Sequence, residues 1–185
     1  MELVLVSDLH SNKKAILYLE EIAKRERPDG LIICGDITTY GEIEYLRSVF
    51  SIVKKFKMEG FVIWGNADSD AIRQMILASP YNSHLRLRIF AAEKIYGLSY
   101  SDEPILPTAN DIKDSIFITH QPPVKSAISK KFSNAPKYHI SGHLHDKKWT
   151  KRYPSTTHIQ VSTLQLGEYA TLDLENGSVK FKNIL

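Results

Sequence analysis

The sequence has a single cysteine, Cys34, and no apolar run that approaches the roughly 18 residues of a membrane-spanning helix. One cysteine excludes an internal disulfide, and nothing in the cysteine usage indicates an oxidising compartment. The apolar start of the chain meets Ser7 and Asp8 after a short run, which is too brief and too acidic for a signal peptide. We therefore expect a cytoplasmic protein with no membrane association.

A large excess of charge of one sign is also absent, but the basic residues are unevenly placed. The 185 residues are 43% hydrophobic and 24% charged, which is typical of a soluble globular protein and excludes disordered and fibrous classes. We expect one domain over residues 1–185. The net charge is +3, yet segment 125–152 carries eight basic residues against the single acid Asp146, a net charge of +7.

Short apolar runs alternate with helical patterns in the first half of the chain. The runs at 3–6, 31–34 and 61–64 are apolar at consecutive positions, as in strands that are buried on both faces of a parallel sheet. Apolar residues recur at helical spacing after each run, and Ser11 or Asn12 can cap the first helix. The order βαβαβα predicts an α/β fold.

The second half has longer connections and ends in a hairpin pattern. Residues 115–119 and 137–140 are predicted as strands, and alternating segments flank Asn176-Gly177, a strong signal for a β-hairpin. We predict an α/β domain of two packed sheets with helices outside, parallel in the early part of the chain and antiparallel in the late part.

Side chains that can ligate metals directly follow five of the predicted strands. They are Asp8, His10, Asp36, Asn66, His120, His143 and His145. Singly, each is more often a helix cap or a structural histidine, but ligands of α/β sheets bind outside the carboxyl ends of the strands, where all seven converge. The pairs at 8/10 and 143/145 point to one side if their backbone is extended. Seven ligands exceed one tetrahedral site and predict two ions that share a carboxylate.

This ordered set resembles the signature of calcineurin-like metallophosphoesterases. The matching motifs are Asp8-Leu9-His10, Gly35-Asp36, Gly65-Asn66-Ala67-Asp68, His120 and Gly142-His143-Leu144-His145. Gly35-Asp36-Ile37-Thr38 followed by Tyr40-Gly41 is most similar to a small branch related to bacterial cyclic-nucleotide phosphodiesterases. The resemblance implies a four-layer α-β-β-α sandwich of two mixed sheets flanked by helices.

The resemblance also implies a dinuclear metal site. Asp8, His10 and His145 would hold one divalent ion, Asn66, His120 and His143 the other, and Asp36 would bridge them. Manganese is the expected metal, and Fe, Zn, Co or Ni suit the same ligands. The nucleophile would be a metal-activated water, a hydroxide that bridges the ions, and no side chain is needed as nucleophile.

One position departs from the family pattern and bears on the substrate. Ala67 stands where the family usually has a histidine that protonates the leaving group or stabilises charge on the phosphate. A general acid contributes roughly 10²–10⁴-fold, so its absence argues against alkyl monoesters. We predict a phosphodiesterase that acts on a small anionic phosphodiester or nucleotide.

The basic segment supplies two candidate substrate-binding residues, Lys125 and Lys147, which follow the loops of His120 and His145. A positive field there attracts anionic substrates, although a solvated charged surface is the alternative interpretation. A non-catalytic protein-binding scaffold on the same fold is the alternative function, and the complete ligand set favours the enzyme. A nuclease is less favoured, because 185 residues leave little room for an extended groove. The oligomeric state stays open.

Overall fold

Two β-sheets pack face to face in the computed structural model, which describes residues 1–101, 107–132 and 135–185. The strands are β1 (Glu2–Val6), β2 (Gly30–Cys34), β3 (Glu59–Ile63), β4 (Leu87–Phe90), β5 (Glu93–Leu98), β6 (Ser115–Thr119), β7 (Tyr138–Ser141), β8 (Trp149–Arg152), β9 (Thr157–Gln160), β10 (Glu168–Asp173) and β11 (Val179–Asn183). The helices are α1 (Lys13–Glu26), α2 (Ile43–Lys55), α3 (Asp70–Ala78), α4 (Ala109–Ile112) and α5 (Ala127–Lys131).

Both sheets are mixed, as predicted. The first has the order β11-β10-β1-β2-β3, with β1, β2 and β3 parallel and the β10–β11 hairpin antiparallel. The second has the order β4-β5-β6-β7-β9-β8, and only its edge strands β4 and β8 are antiparallel. The early strands β1 to β3 are parallel and the late hairpin is antiparallel, as expected. The second sheet departs from this division, because β7 and β9 pair in parallel and β4 and β5 pair antiparallel. The late hairpin completes the first sheet by pairing with the edge of β1 that β2 leaves open.

The apolar residues of the strands alternate between two faces and build four layers. One face of the first sheet packs against α1, α2 and α3 through a core that includes Val4, Leu19, Ile33, Val49 and Ile72. The opposite face packs on the second sheet, through residues such as Leu5, Ile32, Ile118, Ile140 and Ile159. The outer face of the second sheet meets Ile112 of α4 and Phe132, next to α5. This is the expected α-β-β-α sandwich.

Local signals place the first helix where the sequence predicts it. Asn12 is the N-cap of α1, and its side chain accepts hydrogen bonds from the N–H groups of Lys14 (2.8 Å) and Ala15 (3.3 Å). The chain therefore leaves β1, crosses the six residues before the helix as a tight loop, and presents that loop at the carboxyl edge of the sheet. In the described ranges, every helix is too short or too polar to cross a membrane.

Candidate metal centre

The structure brings all seven predicted ligands together at the carboxyl ends of β1, β2, β3, β6 and β7. A first ligand group consists of Asp8, His10, Asp36 and His145, whose ligand atoms lie within 4.8 Å of one another. A second ligand group contains Asp36, His120 and His143 at the same spacing. Asn66 belongs with the second group, since its Oδ1 lies 3.0 Å from His120 Nε2. We call these seven residues together the candidate metal centre.

One oxygen of Asp36 faces both ligand groups. The side chain is 2% exposed, and its Oδ1 accepts a hydrogen bond of 2.8 Å from the N–H of Ala67. Its Oδ2 lies 3.6 Å from Nε2 of His10 in the first group and 3.4 Å from Nε2 of His120 in the second. The carboxylate therefore occupies the position that a bridging ligand needs.

The backbone at the ligands is left-handed, so the reasoning from extended spacing is wrong although the side chains do converge. Asp8 (φ 55°), His10 (φ 48°), Asp36 (φ 50°) and His143 (φ 70°) all have positive φ. Hydrogen bonds between loops stabilise these turns, because the N–H of Asp8 donates to Gly35 O (3.1 Å) and that of His10 to Asp36 O (3.0 Å). Such backbone is uncommon outside glycine and concentrates at functional sites.

Hydrogen bonding fixes the ring nitrogen that His120 turns toward the site. Its Nδ1 lies 2.8 Å from the carbonyl oxygen of Cys34, which only accepts, so Nδ1 carries the proton. Its Nε2 then presents a lone pair to Asn66 Oδ1 at 3.0 Å and to His143 Nδ1 at 3.2 Å. Lone pairs that face one another at this distance fit a cation between them.

The first ligand group shows the same arrangement. Asp8 is buried; its Oδ2 accepts from the N–H of His143 (2.9 Å), whereas its Oδ1 is buried without a hydrogen-bond partner. Nε2 of His145 is 3.3 Å from that oxygen, and Nε2 of His10 is 3.1 Å from Nε2 of His145. A buried carboxylate oxygen that lacks a donor and faces two imidazoles is a further sign that this donor set fits a divalent cation.

The electrostatics of the site favour charge on three of its members, Asp8, His120 and His145. Burial works to raise the pKa of Asp8, but the neighbouring His10 and His145 outweigh it and the pKa lies below its ordinary value. Burial likewise works to lower the pKa of His120, and the Asp36 carboxylate raises it above the usual value. The Asp8 carboxylate also raises the pKa of His145. Protons and metal ions therefore compete for the same nitrogens.

Asp68, which follows Ala67, ties two of the loops together. It is 1% exposed; its Oδ1 accepts from the N–H of Thr38 (2.8 Å), and its Oδ2 accepts from Gly65 (3.0 Å) and Ile37 (3.3 Å). Burial raises its pKa. Both carboxylate oxygens are thus engaged in holding the loop after β2 against the loop after β3.

Several groups that orient the candidate ligands were not predicted from the sequence. The carbonyl of Cys34 orients His120, and Thr39 Oγ1 lies 3.2 Å from Nδ1 of His10. Gln160 donates from Nε2 to the carbonyl of Gly142 at 2.7 Å, just before His143. A backbone carbonyl carries no sequence signal, and Gln160 belongs to none of the polar clusters that follow the predicted strands.

The two candidate substrate-binding lysines are placed differently. Lys125 is exposed and lines a recess together with Lys130, Lys151 and Tyr153. Lys147 is also exposed, but its Nζ lies 3.0 Å from Asp146 Oδ2 and it is outside that recess. The structure therefore groups Lys125 with Lys151 rather than with Lys147.

Comparison with solved structures finds the same fold in phosphoesterases. An archaeal phosphodiesterase has 13% identity and a TM-score of 0.66, with 100% of each chain covered. YfcE, a phosphoesterase from E. coli, has 16% identity and a TM-score of 0.59, again with 100% of each chain covered. A dimetal phosphatase from Danio rerio has 12% identity and a TM-score of 0.69, covering 99% of this chain and 95% of that one.

Comparison at the level of sequence identifies the family. No curated protein matches the chain. The sequence profile described as the calcineurin-like phosphoesterase superfamily domain matches residues 1–177, which contain every strand of the sandwich except β11 and all seven residues of the candidate metal centre. The chain therefore belongs to the calcineurin-like phosphoesterase superfamily.

Proposed function

We propose that this chain is a metal-dependent phosphodiesterase whose candidate metal centre holds two divalent ions, manganese being the expected metal. The observation that carries the proposal is Asp36 Oδ2, which lies 3.6 Å from Nε2 of His10 and 3.4 Å from Nε2 of His120. One anionic oxygen between two ligand groups is what a dinuclear site requires. When bound, the ions would supply Lewis-acid activation of the phosphate and of water.

The residues of the chain perform the positioning. His120 is held by the Cys34 carbonyl with Nε2 toward the site, and Asp8 is held by the N–H of His143 with Oδ1 toward it. The imidazole rings and carboxylates are already fixed before the metal ions and the substrate bind. Little reorganisation of these side chains therefore opposes binding of an anionic phosphoester.

The preference for diesters rests on position 67. Ala67 brings no proton donor, and its neighbour Asp68 has both oxygens in hydrogen bonds to the loops. The histidines of the five motifs serve as ligands in this proposal, so none of them remains as a general acid. A leaving group that departs as a stable anion suits such a site, and the archaeal phosphodiesterase with the same fold agrees with this substrate class.

The test combines metal content with turnover. Purified protein is stripped with a chelator, dialysed and reloaded with Mn²⁺, and bis(p-nitrophenyl) phosphate and an alkyl phosphate monoester are compared as substrates. We expect about two bound ions per chain, loss of turnover on stripping, and faster cleavage of the diester, for the reasons given at Ala67. Turnover that persists after prolonged dialysis against EDTA would contradict the metal-dependent reaction.

A matched pair of variants separates the site from the fold. Asp36→Asn keeps the shape of the side chain but removes the charge between the ligand groups, so we expect both ions to bind more weakly and turnover to fall more than the roughly 10–100-fold typical of outer ligand partners. Asp70→Asn makes the same change at an exposed residue of α3 and should have no effect. Failure of the wild type to bind metal or turn over either ester would favour the non-catalytic scaffold.

A further inference from the structure

A basic recess lies at the surface of the second sheet, beside the candidate metal centre. It has a volume of about 580 Å³ and is lined by Pro123, Val124, Lys125, Ser126, Lys130, Lys151 and Tyr153. The three lysines come from separate parts of the chain, namely the loop after β6, helix α5 and strand β8. Only the fold brings them together, and no acidic residue is among the described residues that line the recess.

The recess is connected to the candidate metal centre through Ser126. This residue also lines a smaller cleft whose wall includes His120, Gln121 and Thr119. The connecting segment is folded tightly, since Ser129 Oγ donates to the carbonyl of Gln121 (2.7 Å) and the N–H of Ser126 donates to the carbonyl of Pro122 (3.1 Å). A ligand whose phosphate lies at His120 would therefore pass Ser126, the residue that the cleft and the recess share, to reach the lysines.

Two lysines of the basic segment that lie outside the recess are used in ion pairs. Lys137 pairs with Glu93, and Lys148 Nζ lies 2.6 Å from Glu168 Oε1. Lys125 and Lys151 form no ion pair with any residue in the described part of the chain. Positive charge that the protein itself does not neutralise, at the wall of a recess, favours an anionic ligand.

The lining of the recess is better suited to bind a charged group than a nucleobase. Lys151 Nζ lies 5.3 Å from the centroid of the Tyr153 ring, so a cation already covers one face of the aromatic ring that lines the recess. The remaining lining is aliphatic or small. A second phosphate, rather than a stacked base, is the group that this surface complements.

We propose that the recess binds a second phosphate of the substrate, so that the chain acts on phosphodiesters that carry a further phosphate group. This inference rests on the proposed function, because the first phosphate is the one placed at the metal centre. The lysines act as substrate-binding residues and take no part in bond breaking.

A pair of matched substrates tests the inference. Both are p-nitrophenyl esters of thymidine monophosphate, and they differ only in whether the remaining sugar hydroxyl is free or phosphorylated. We expect the wild type to show a KM for the phosphorylated ester that is about tenfold lower, because local positive charge concentrates anions by 10-fold or more. In Lys125→Ala/Lys151→Ala we expect the two KM values to become equal.

The control variant is Lys137→Ala/Lys148→Ala, which removes the same charge from the same segment outside the recess and should keep the KM difference. Equal KM values for the two esters in the wild type would overturn the inference and leave the proposed function intact.

If neither ester turns over, the proposed function is contradicted. Phosphate binding in the recess is then tested separately, by calorimetric titration of the metal-free protein with thymidine bisphosphate. Binding that is weakened by Lys125→Ala/Lys151→Ala supports the recess, and binding that is absent or unchanged overturns it.

Discussion

At the scale of single residues, Ala67 links the backbone of the site to its chemistry. Its N–H donates to Asp36 Oδ1 at 2.8 Å, and its side chain is partly exposed. A histidine substituted here would place an imidazole at the edge of the metal centre. Asp68, the next residue of the motif, is not available to orient that imidazole, because both its oxygens are engaged by Thr38, Ile37 and Gly65.

We expect Ala67→His to raise turnover of an alkyl monoester relative to a diester by about tenfold, below the roughly 10²–10⁴-fold of a well-oriented general acid. The measurement is the ratio of kcat/KM for the two substrates, with bound metal determined in each preparation. Ala67→Gln supplies a side chain of similar reach that cannot donate a titratable proton, and it should leave the ratio unchanged. If the wild type already cleaves alkyl monoesters as well as aryl diesters, another group supplies the proton.

His139 and His158 form a second set of histidines, buried away from the metal ligands. They are paired across β7 and β9, their ring centroids are 5.2 Å apart, and Nε2 of His158 lies 2.8 Å from Ser141 Oγ. Burial, with a smaller contribution from Lys151, lowers the pKa of His158 to about 4. Burial lowers the pKa of His139 well below its usual value. Both rings are therefore neutral in the folded protein.

This burial makes folding stability depend on pH. The unfolded chain takes up a proton on His158 near its ordinary pKa of about 6.5, whereas the folded chain does so only near 4, so the free energy of unfolding falls as the pH drops between these values. In His158→Gln, we expect acidification of metal-free protein from about pH 7 to about pH 5 to cost about 2 kcal/mol less than in the wild type, as measured by urea unfolding. An equal loss in both proteins would contradict the account.

The convergence of the seven candidate ligands was predictable from the sequence, and their surroundings were not. Asp36 and His120 follow runs of apolar residues that only buried strands explain, and the carboxyl ends of such strands share one edge. The left-handed backbone at His10 depends on a hydrogen bond to the loop of Asp36, which is distant in sequence. The hydrogen bond from His120 to the Cys34 carbonyl is equally invisible, because any residue has a carbonyl group.

At the scale of elements, the contact between the ends of β1 and β7 sets the distance between the two sheets at the site. A Cβ added at Gly142, which follows β7, would overlap Ser7 Oγ and would lie 2.8 Å from Asp8 Oδ2. The next residue, His143, donates its N–H to that same Asp8 oxygen. Glycine is needed here because the first ligand and the last ligand loop touch.

We expect Gly142→Ala to reduce the free energy of unfolding by about 1–3 kcal/mol through overpacking, and also to weaken metal binding. Gly60→Ala is the matched control, since its added Cβ would lie 2.7 Å from the Tyr81 ring, far along β3 from the strand end that bears Asn66. Urea unfolding should show a loss in both variants, and metal titration should show weaker binding only in Gly142→Ala. Equal metal affinity in the two would contradict a role for this contact.

Two of the strands that were not predicted from the sequence have little apolar pattern. Strand β8 is Trp149–Arg152, and its last three residues are exposed, while β4 exposes Leu87 (50%) and Ile89 (66%). Both are edge strands of the second sheet. The hairpin of β10 and β11 was predicted from Asn176-Gly177, but its place beside β1 was not, because local alternation does not specify which sheet a strand joins.

At the scale of the whole molecule, folding places some lysines of the basic segment in ion pairs and others at the wall of the recess. Lys137 and Lys148 pair with Glu93 and Glu168, which lie outside the segment, and the recess holds Lys125. The sequence shows the net excess of positive charge but not the acids that offset it. A prediction from the linear sequence therefore chose Lys147, which pairs with its own neighbour.

The order of strands also bears on cooperativity, and we propose that residues 1–185 unfold as one unit. The whole second sheet, β4 to β9, lies in sequence between β3 and β10 of the first sheet. The first sheet is not a continuous stretch of chain, and the two sheets share the central layer of apolar residues. We expect a single thermal transition followed equally by tryptophan fluorescence and by far-UV circular dichroism. Two separated transitions would contradict it.

The position of β1 has a consequence for synthesis of the chain on the ribosome. This strand is made before the other strands of the sandwich, yet its partner β10 pairs Glu2 with Asp173, so one edge of β1 stays unpaired until β10 has been translated. A nascent chain that already contains β1, β2 and β3 presents an apolar strand with unpaired backbone groups, which is the kind of edge that other chains add to. Emergence of β10, rather than emergence of the candidate metal ligands, is then the moment at which this edge becomes protected.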